Sequence, residues 1–502
     1  MYANAYAQGL KLSSQGRHFE AISCYEAALA ERPDDTAILF ALGNTAQALG
    51  MPKPAAEFFR KVLAQEPGRI EALINLANLL RAQGQFDAAR ALLEPALPRH
   101  PGSAELRLTL GSTCREAGDR QAAKRWYREA LDSRPDYDLA LSNLADLLAV
   151  DGDFEGARTL YDQALKAGNG HPQIRLNRAI LHFQMGNLAE GWRDYAARIE
   201  IPNKVPTTDL KLAEWRGAPL EGARLLVRAE QGVGDQLMFM GVVPDLLARA
   251  GKGQVILECE NRLVALAARS FPGALVRPQS LLTVNGVAKA DYVWLKKDGG
   301  ANCATLMGSV PRWLRKTLDA FPKENVFLKP DSEEQARWRN IFASLGSSPL
   351  TGICWRSGKS GGHRSAQYAP LEMWGAFLHN LPGEIVSCQY DGSAEEVAAL
   401  EQASGRKIFV PPGLDQKNEL DRTAAMLSVL DRVISAPTAV SWLAAGVGVK
   451  TIKLNYHLSW TAFGQAYEPF APACITIGPN RPGDWRDAFA RLADAIAPPV
   501  AA

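Results

Sequence analysis

Small, bulky and proline positions recur every 34 residues through the first two hundred positions of the chain. Small residues stand at Gly9, Gly43, Ala77, Gly111, Ala145 and Ala179, and a second small ladder runs Ala21, Ala55, Ala89, Ala123, Ala157 and Gly191. Four residues after each member of the second ladder comes Tyr25, Phe59, Leu93, Tyr127, Tyr161 or Tyr195. Ala28, Val62, Ala96, Ala130 and Ala164 follow, and Pro33, Pro67, Pro101 and Pro135 punctuate the series, with Asn169 in the fifth place. Several ladders in one register predict paired helices. Small residues let two helices touch, the bulky residue fills the space between pairs, and the proline stops the second helix. Five full copies run from residue 2, and a sixth changes character near residue 198.

This pattern is similar to the tetratricopeptide repeat, two helices in 34 residues. Such an α-solenoid implies a concave groove lined by the first helix of each pair. Asn75, Asn143 and Asn177 share the sixth repeat position, and Asn44 and Asn78 sit three residues further along their repeats. Asparagine amides both donate to and accept from an extended backbone, so they can hold a polypeptide without reading its side chains. Solvated surface asparagine is the alternative.

The periodicity then changes. Residues 199–219 carry Pro202, Pro206 and Pro219 and form a junction in which Trp215 is expected to pack on the next domain. From Ala223, apolar runs at 224–228, 254–259 and 291–295 alternate with helix-like stretches at 235–250 and 261–270. A long stretch from Ser332 to Leu345 reads as a connector. Further strands are expected at 350–355, 384–389, 407–410, 432–435 and 450–454, with helices at 370–381, 393–404, 418–430, 438–446 and 482–497. The predicted organisation is a repeat array over 1–198, a junction over 199–219, a Rossmann-like α/β lobe over 220–330, a connector over 331–348 and a second such lobe over 349–502. Ligands in such sheets bind beyond the strand C-termini.

Three segments just after predicted strands carry candidate chemistry. Glu230-Gln231-Gly232-Val233-Gly234-Asp235 joins a strand to a helix start, offering amides and one carboxylate to an anion. It reads equally as an ordinary turn in which Asp235 caps the helix. Arg356-Ser357-Gly358-Lys359-Ser360-Gly361-Gly362-His363-Arg364 sets basic side chains on a glycine-rich loop, suited to phosphate or simply solvated. Ser435 to Trp442 runs from strand into helix, either cradling a phosphate oxygen or merely capped. There is no P-loop, no Gly-x-Ser-x-Gly elbow and no His-x-x-x-His pair, and Leu237 stands where a dinucleotide fingerprint needs its third glycine.

Net charge is +2 and is spread evenly between the repeat array and the remainder, so nucleic acid is not favoured as a partner. Seven scattered cysteines without a Cys-x-x-Cys pair predict free thiols in a reducing cytoplasm. The N-terminal residues lack a signal-peptide pattern, and no apolar stretch is long enough to span a bilayer.

The repeats, Trp215-Arg216-Gly217, the Glu230–Asp235 turn, the basic loop after Trp355 and the segment Ser435 to Gly448 together resemble a known family. It consists of tetratricopeptide-repeat proteins fused to a two-lobed GT-B glycosyltransferase domain similar to the bacterial heptosyltransferases. The resemblance implies an inverting, metal-independent transferase with no cofactor beyond its nucleotide-sugar substrate. Asp235 matches the family's general base. Donor binding falls to Arg356, Ser357, Gly358, Lys359, Arg364, Gln367, Thr438, Ala439 and Ser441, with Arg356 and Arg364 stabilising the leaving phosphate. Acceptor binding falls to Gln231, Gly232 and Gly234, with Asn44, Asn75, Asn78, Asn143 and Asn177 in the repeats.

The chain departs from the family at Pro437 in place of Asp, Trp442 in place of His and Gln367 in place of a phosphate-binding Lys. Those changes imply either a different nucleotide sugar or lost activity. The run Asp415-Gln416-Lys417-Asn418-Glu419-Leu420-Asp421-Arg422 looks like that of a subgroup modifying bacterial flagellins, for which a CMP-linked nonulosonic acid is the implied donor and flagellin the implied partner. The expected activity is sugar transfer to Ser or Thr of a protein held by the repeats. A glycan-acceptor transferase and a catalytically degenerate adaptor or chaperone are the alternatives.

Overall fold

The small-residue ladder has a steric cause. A Cβ at Gly43 would lie 2.6 Å from Cε1 of Phe59, and one at Gly9 or Gly111 would lie 2.5 Å from Tyr25 or Tyr127. Paired helices therefore approach to contact over glycine, with a buried ring wedged across the seam. The computed structural model describes residues 2–284, 286–346, 348–358 and 367–496. It divides into two compact units, Met1–Gly170 and His171–Ala502.

The first unit holds five helix–turn–helix pairs: Tyr2–Ser14 with His18–Glu31 (α1, α2), Thr36–Ala48 with Pro52–Gln65 (α3, α4), Ile70–Ala82 with Phe86–Leu93 (α5, α6), Ala104–Glu116 with Arg120–Ser133 (α7, α8), and Asp138–Val150 with Phe154–Ala167 (α9, α10). Asp35, Ser103, Asp119 and Asp153 cap α3, α7, α8 and α10 through their side chains. Helix α6 gives way to a 3₁₀ turn over Glu94–Arg99, where Pro95 and Pro98 remove amide donors.

The second unit opens with the sixth pair, Pro172–Gln184 and Leu188–Tyr195 (α11, α12). Here the roles are exchanged: Gly191 of the second helix meets the ring of Phe183 on the first, whereas in the repeats the glycine is on the first helix. This pair is nevertheless part of the α/β core. Phe183, Trp192 and Tyr195 pack against Trp460, Phe463 and Phe470. The Trp192 indole N–H donates to the Arg315 carbonyl at 2.8 Å.

Two parallel sheets follow. The first comprises β1 (Ala213–Glu214), β2 (Arg224–Arg228), β3 (Gln254–Cys259), β4 (Ala274–Pro278) and β7 (Cys303–Leu306), in the order β1-β7-β2-β3-β4. A hairpin, β5 (Leu281–Val284) with β6 (Val287–Ala290), lies outside it. The second comprises β8 (Leu350–Cys354), β9 (Glu384–Ser387), β10 (Ile408–Phe409), β11 (Arg432–Ser435), β12 (Lys450–Leu454) and β13 (Cys474–Ile477), in the doubly wound order β10-β9-β8-β11-β12-β13. The chain order reverses between β2 and β7 in one sheet and between β8 and β11 in the other.

Helices cover both sheets: α13 (Val233–Met240), α14 (Val243–Ala250), α15 (Val264–Ser270), α16 (Val293–Lys297) and α17 (Pro311–Leu314) in the first lobe, and α18 (Ser332–Ala343) as the connector. The second lobe adds α19 (Leu371–His379), α20 (Ala394–Ser404), α21 (Leu420–Leu427), α22 (Ala439–Gly446) and α23 (Trp485–Ile496). Alternation along the strands decides the layers. Leu225, Val227, Val255 and Leu257 share one core with Cys354, Val386, Cys388 and Val433 of the other sheet. Leu226 and Ile256 face a separate cluster, and Ile353 and Ile434 face another built on Trp374 and Phe489.

Two expectations change. The stretch 235–250 is two helices, because Pro244 stands at the start of α14 and cannot continue α13. The run 291–295 is the start of α16, not a strand: Tyr292 and Leu295 are buried three residues apart while Val293 between them is 68% exposed. Strand β7 supplies that place in the sheet. All seven cysteines are unpaired, five of them buried. Among the described residues no helix is long and apolar enough to cross a membrane.

Candidate functional site

The turn after β2 is held on several sides. The Ala229 N–H donates to Glu258 Oε2 at 2.9 Å. Glu230 is fully buried and accepts from Arg198 Nε at 2.8 Å, Arg198 Nη2 at 2.6 Å and the Gly308 N–H at 2.8 Å. Gln231 has φ +61°, a left-handed backbone that costs a side-chain-bearing residue energy. Its Nε2 donates to the Tyr195 hydroxyl at 2.8 Å.

Asp235 is the third residue of α13, and its Oδ2 accepts the Gly232 N–H at 3.3 Å. The carboxyl is half-buried. Burial raises its pKa above the usual carboxylate value, the Gly232 amide opposes that shift, and the nearby Glu230 charge adds to it. Asp235 therefore does helix-start work and is also a stronger base than an ordinary surface carboxylate.

In the second lobe, the amides of Trp355 and Arg356 donate to Gln389 Oε1 at 2.9 and 3.1 Å. The sequence assigns Arg356 to phosphate, but each of its N–H groups already has an acceptor. Nε and Nη2 reach Glu396 at 2.6 and 2.7 Å, Nη1 reaches Asp391 Oδ1 and the Ser357 carbonyl, and Nη2 also reaches the Asp391 carbonyl. The guanidinium braces the loop and leaves no donor aimed at a ligand.

Ser357 and Gly358 do face a cleft. The Gly358 N–H donates to the Tyr390 hydroxyl at 2.5 Å, and a Cβ at Gly358 would lie 2.9 Å from Tyr390 Cε2. Lys359 and Arg364 lie outside the described residues. Gln367 is exposed and does not line the cleft.

Thr438 caps α22, its Oγ1 accepting the Val440 N–H at 3.3 Å and lying 3.2 Å from Ser435 Oγ. Thr438 and Ala439 line the cleft. Ser441 does not. It is fully buried as the third residue of α22, with its hydroxyl donated to the Thr438 carbonyl at 2.8 Å, so it presents no group to the cleft. Trp442 is buried too, with the Lys453 ammonium 4.7 Å from its ring centre and paired to Glu468.

The strand ends of both lobes enclose one cleft of about 580 Å³. Gln231, Gly232, Gly234, Gln236, Glu260, Arg262 and Gln279 line it from one side, and Ser357, Gly358, Tyr390, Gln416, Lys417, Thr438 and Ala439 from the other; Asp235 stands between two lining residues, Gly234 and Gln236, and is not itself part of the wall. Four side-chain amides, from Gln231, Gln236, Gln279 and Gln416, stand among the aliphatic Val233, Leu420, Val440 and Leu443, and among the described residues Arg262 and Lys417 are the cations; a mostly apolar wall with a few placed polar groups is the usual make-up of a ligand site. Arg262 is aimed by Glu260 Oε1 at 2.9 Å and the Lys417 carbonyl at 2.7 Å. Gln416 donates to the Ser387 carbonyl at 2.9 Å, while its buried Oε1 has no partner among the described residues. Sequence reasoning missed Gln236, Glu260, Arg262, Gln279 and Tyr390. Only the polar run Asp415 to Arg422 signals part of this wall.

The repeat asparagines separate. Asn75 donates to Asn44 Oδ1 at 2.9 Å on neighbouring first helices, Asn78 is half-buried, and Asn143 accepts from Arg115 at 3.4 Å. Asn177 belongs to the second unit, where its Oδ1 accepts from Gln173 at 2.8 Å.

Comparison with known proteins bears on both units. Family models described as tetratricopeptide repeat match residues 46–111, residues 6–70 and 142–203, and residues 104–137. The chain is similar to Protein FlbA of Caulobacter vibrioides, 32% identical over 329 residues, which is 64% of this chain and 54% of that protein. The chain thus spans about half the length of this curated relative.

Among solved structures, a thermophilic tetratricopeptide-repeat protein of Thermus thermophilus is 26% identical with a TM-score of 0.32, covering 36% of this chain and 98% of its own. PilW, a type IV pilus biogenesis factor, is 18% identical with a TM-score of 0.35, covering 40% and 91%. The first two hundred residues of this chain therefore carry tetratricopeptide repeats, a protein-interaction fold, and two α/β lobes follow them.

Proposed function

We infer that the protein is an O-glycosyltransferase of the GT-B kind, which moves a sugar from a nucleotide-sugar donor to Ser or Thr of a protein bound by its repeats. The observation that carries this is the meeting of two sheets at their chain-reversal points in one cleft, with the N-termini of α13 and α22 on its opposite walls. Asp235 removes the proton from the acceptor hydroxyl. The hydroxyl oxygen attacks the anomeric carbon, and the bond from that carbon to the phosphate oxygen breaks with its electron pair leaving on phosphate. A single displacement of this kind inverts the anomeric centre.

The Thr438 hydroxyl and the first amides of α22 receive the leaving phosphate, with Lys417 and Arg262 supplying charge. Lys359 and Arg364 are assigned to the same task from the sequence. Arg356 holds the loop rather than the ligand. Flagellin and CMP-linked sugars are the first acceptor and donor to test, followed by UDP- and GDP-linked sugars, with intact mass of the acceptor as readout. Asp235→Asn should lower transfer by about 10²- to 10⁴-fold while acceptor binding persists. Undiminished transfer in that variant would remove Asp235 from the reaction.

The buried Ser441 and Trp442 and the saturated Arg356 favour a second reading, an adaptor without chemistry. Calorimetry separates the two. The transferase must bind one of the three nucleotide classes, and an adaptor binds none.

A further inference from the structure

The sixth helix pair reaches the Glu230–Asp235 turn through two residues. Tyr195, the last residue of α12, places its hydroxyl 2.8 Å from Gln231 Nε2. Arg198, three residues on, grips Glu230 with two N–H groups, donates to Ser309 Oγ at 2.9 Å and reaches the Tyr195 carbonyl at 3.2 Å. Its guanidinium also lies 4.6 Å from the centre of the Tyr195 ring. Arg198 and Glu230 are 1% and 0% exposed.

A buried ion pair seldom stabilises more than an apolar pair of the same size, but it fixes geometry. It stands here beside Gln231, whose left-handed backbone persists only if its surroundings impose it. The shortest hydrogen bond to this residue runs from its side-chain amide to the Tyr195 hydroxyl, beside longer ones to Glu230 and from Gln236. The Tyr195 ring is in turn fixed among Phe183, Trp192 and Trp460. The turn is thus braced by a repeat-derived element as well as by Glu258 of β3 and the Gly308 amide.

Resting on the transferase reading above, we propose that Tyr195 and Arg198 are positioning residues of the reaction. On this assignment the sixth pair is the template that sets the backbone of Gln231, and through it the first amides of α13 and the Asp235 carboxylate, rather than one more unit for gripping a polypeptide. The consequence is a thermodynamic cycle. Tyr195→Phe keeps the packed ring and loses the hydroxyl. In the full-length protein it should speed amide hydrogen exchange over residues 231–235 by tenfold or more, while exchange in β8 to β13 is unchanged. It should lower kcat by about 10- to 100-fold, with donor KM within about twofold, because the loss is one of alignment.

Gln231→Gly removes the backbone strain, since glycine adopts positive φ freely. In that background Tyr195→Phe should have no further effect on exchange or kcat. The glycine variant also removes the amide from which Tyr195 accepts, so a tyrosine acting through other contacts would give equal losses in both backgrounds. Unchanged exchange in Tyr195→Phe overturns the proposal, as does an undiminished second loss in the glycine background. If the unaltered protein transfers no sugar, the transferase reading fails, while the exchange cycle still decides whether Tyr195 holds the turn.

Discussion

Asp235 answers to two demands that pull in opposite directions. Its carboxylate accepts the Gly232 N–H at the start of α13, yet burial and the Glu230 charge raise its pKa. A carboxyl whose folded pKa lies above its unfolded one binds its proton more tightly in the folded state. That contribution to stability is complete in acid, below the unfolded value of about 3.9, and is lost as pH rises through the raised folded value. At neutral pH the ionised group is a net burden on the fold. Asp235→Asn keeps an acceptor for Gly232 and removes the burden, so its thermal midpoint should equal or exceed that of the unaltered protein at pH 8. The advantage should vanish at pH 4. A base must be ionised to work, so the acid limb of the pH–rate profile should sit above the ordinary carboxylate range. A variant less stable at pH 8 would show that the carboxylate is there for the helix alone. The Gly-x-Gly-Asp spacing after an apolar run makes this turn legible in the sequence. The saturation of Arg356 is not, because its partners Asp391 and Glu396 lie 35 and 40 positions away beyond another strand. Ser441 escapes a sequence reading because it stands third in its helix, as Asp235 does in α13, and only the packing around α22 turns it into the core.

Among elements, the repeat pairs show most directly how residue type sets geometry. Glycine stands opposite the aromatic ring in the first, second and fourth pairs, whereas Ala77 stands with Leu93 in the third. The fifth pair combines Ala145 with Tyr161, whose hydroxyl bonds Asp146 instead. At Gly43 an added methyl must displace Phe59, which is completely buried. Gly43→Ala should therefore destabilise the unit by about 1–3 kcal/mol, the usual range for overpacking, read from urea unfolding. Phe59→Leu, which reproduces the third pair, should recover part of that loss in the double variant. Strict additivity of the two changes would mean that the helices do not meet at this point. Periodicity exposes all of this before any coordinates because each repeat packs on its sequence neighbours. The α/β elements are less legible. Strands β7 and β13 are only four residues long. Helix α16 carries the Val and Trp of a strand, yet Tyr292 just before it and Leu295 within it are buried at helical spacing.

For the whole molecule, the decisive boundary is not where the 34-residue period ends. The ladder runs through Tyr195 with no change of register, so sequence alone sets the end of the repeats at 198, while the sixth pair is grouped by its contacts with the α/β lobes. Phe183, Trp192 and Tyr195 nonetheless share a core with both sheets, and Arg198 neutralises a glutamate that is wholly enclosed. A chain cut at residue 199 would lose those rings and leave Glu230 buried without its cation, a defect that costs about 3–5 kcal/mol for the charge alone. A chain cut at His171 keeps every one of these contacts. Residues 171–502 should therefore express as a folded protein with one cooperative unfolding transition, whereas residues 199–502 should aggregate or unfold well below it. Circular dichroism melts of the two fragments test this, and equal stability would mean that the sixth pair is dispensable to the α/β unit. The same pair of fragments carries the functional question. The 171–502 fragment keeps the cleft and lacks the five complete repeats. On the transferase reading it should bind a nucleotide with the affinity of the full chain, yet fail to modify a protein acceptor. Transfer by this fragment onto a free carbohydrate would instead favour a glycan acceptor, with the repeats as a docking module.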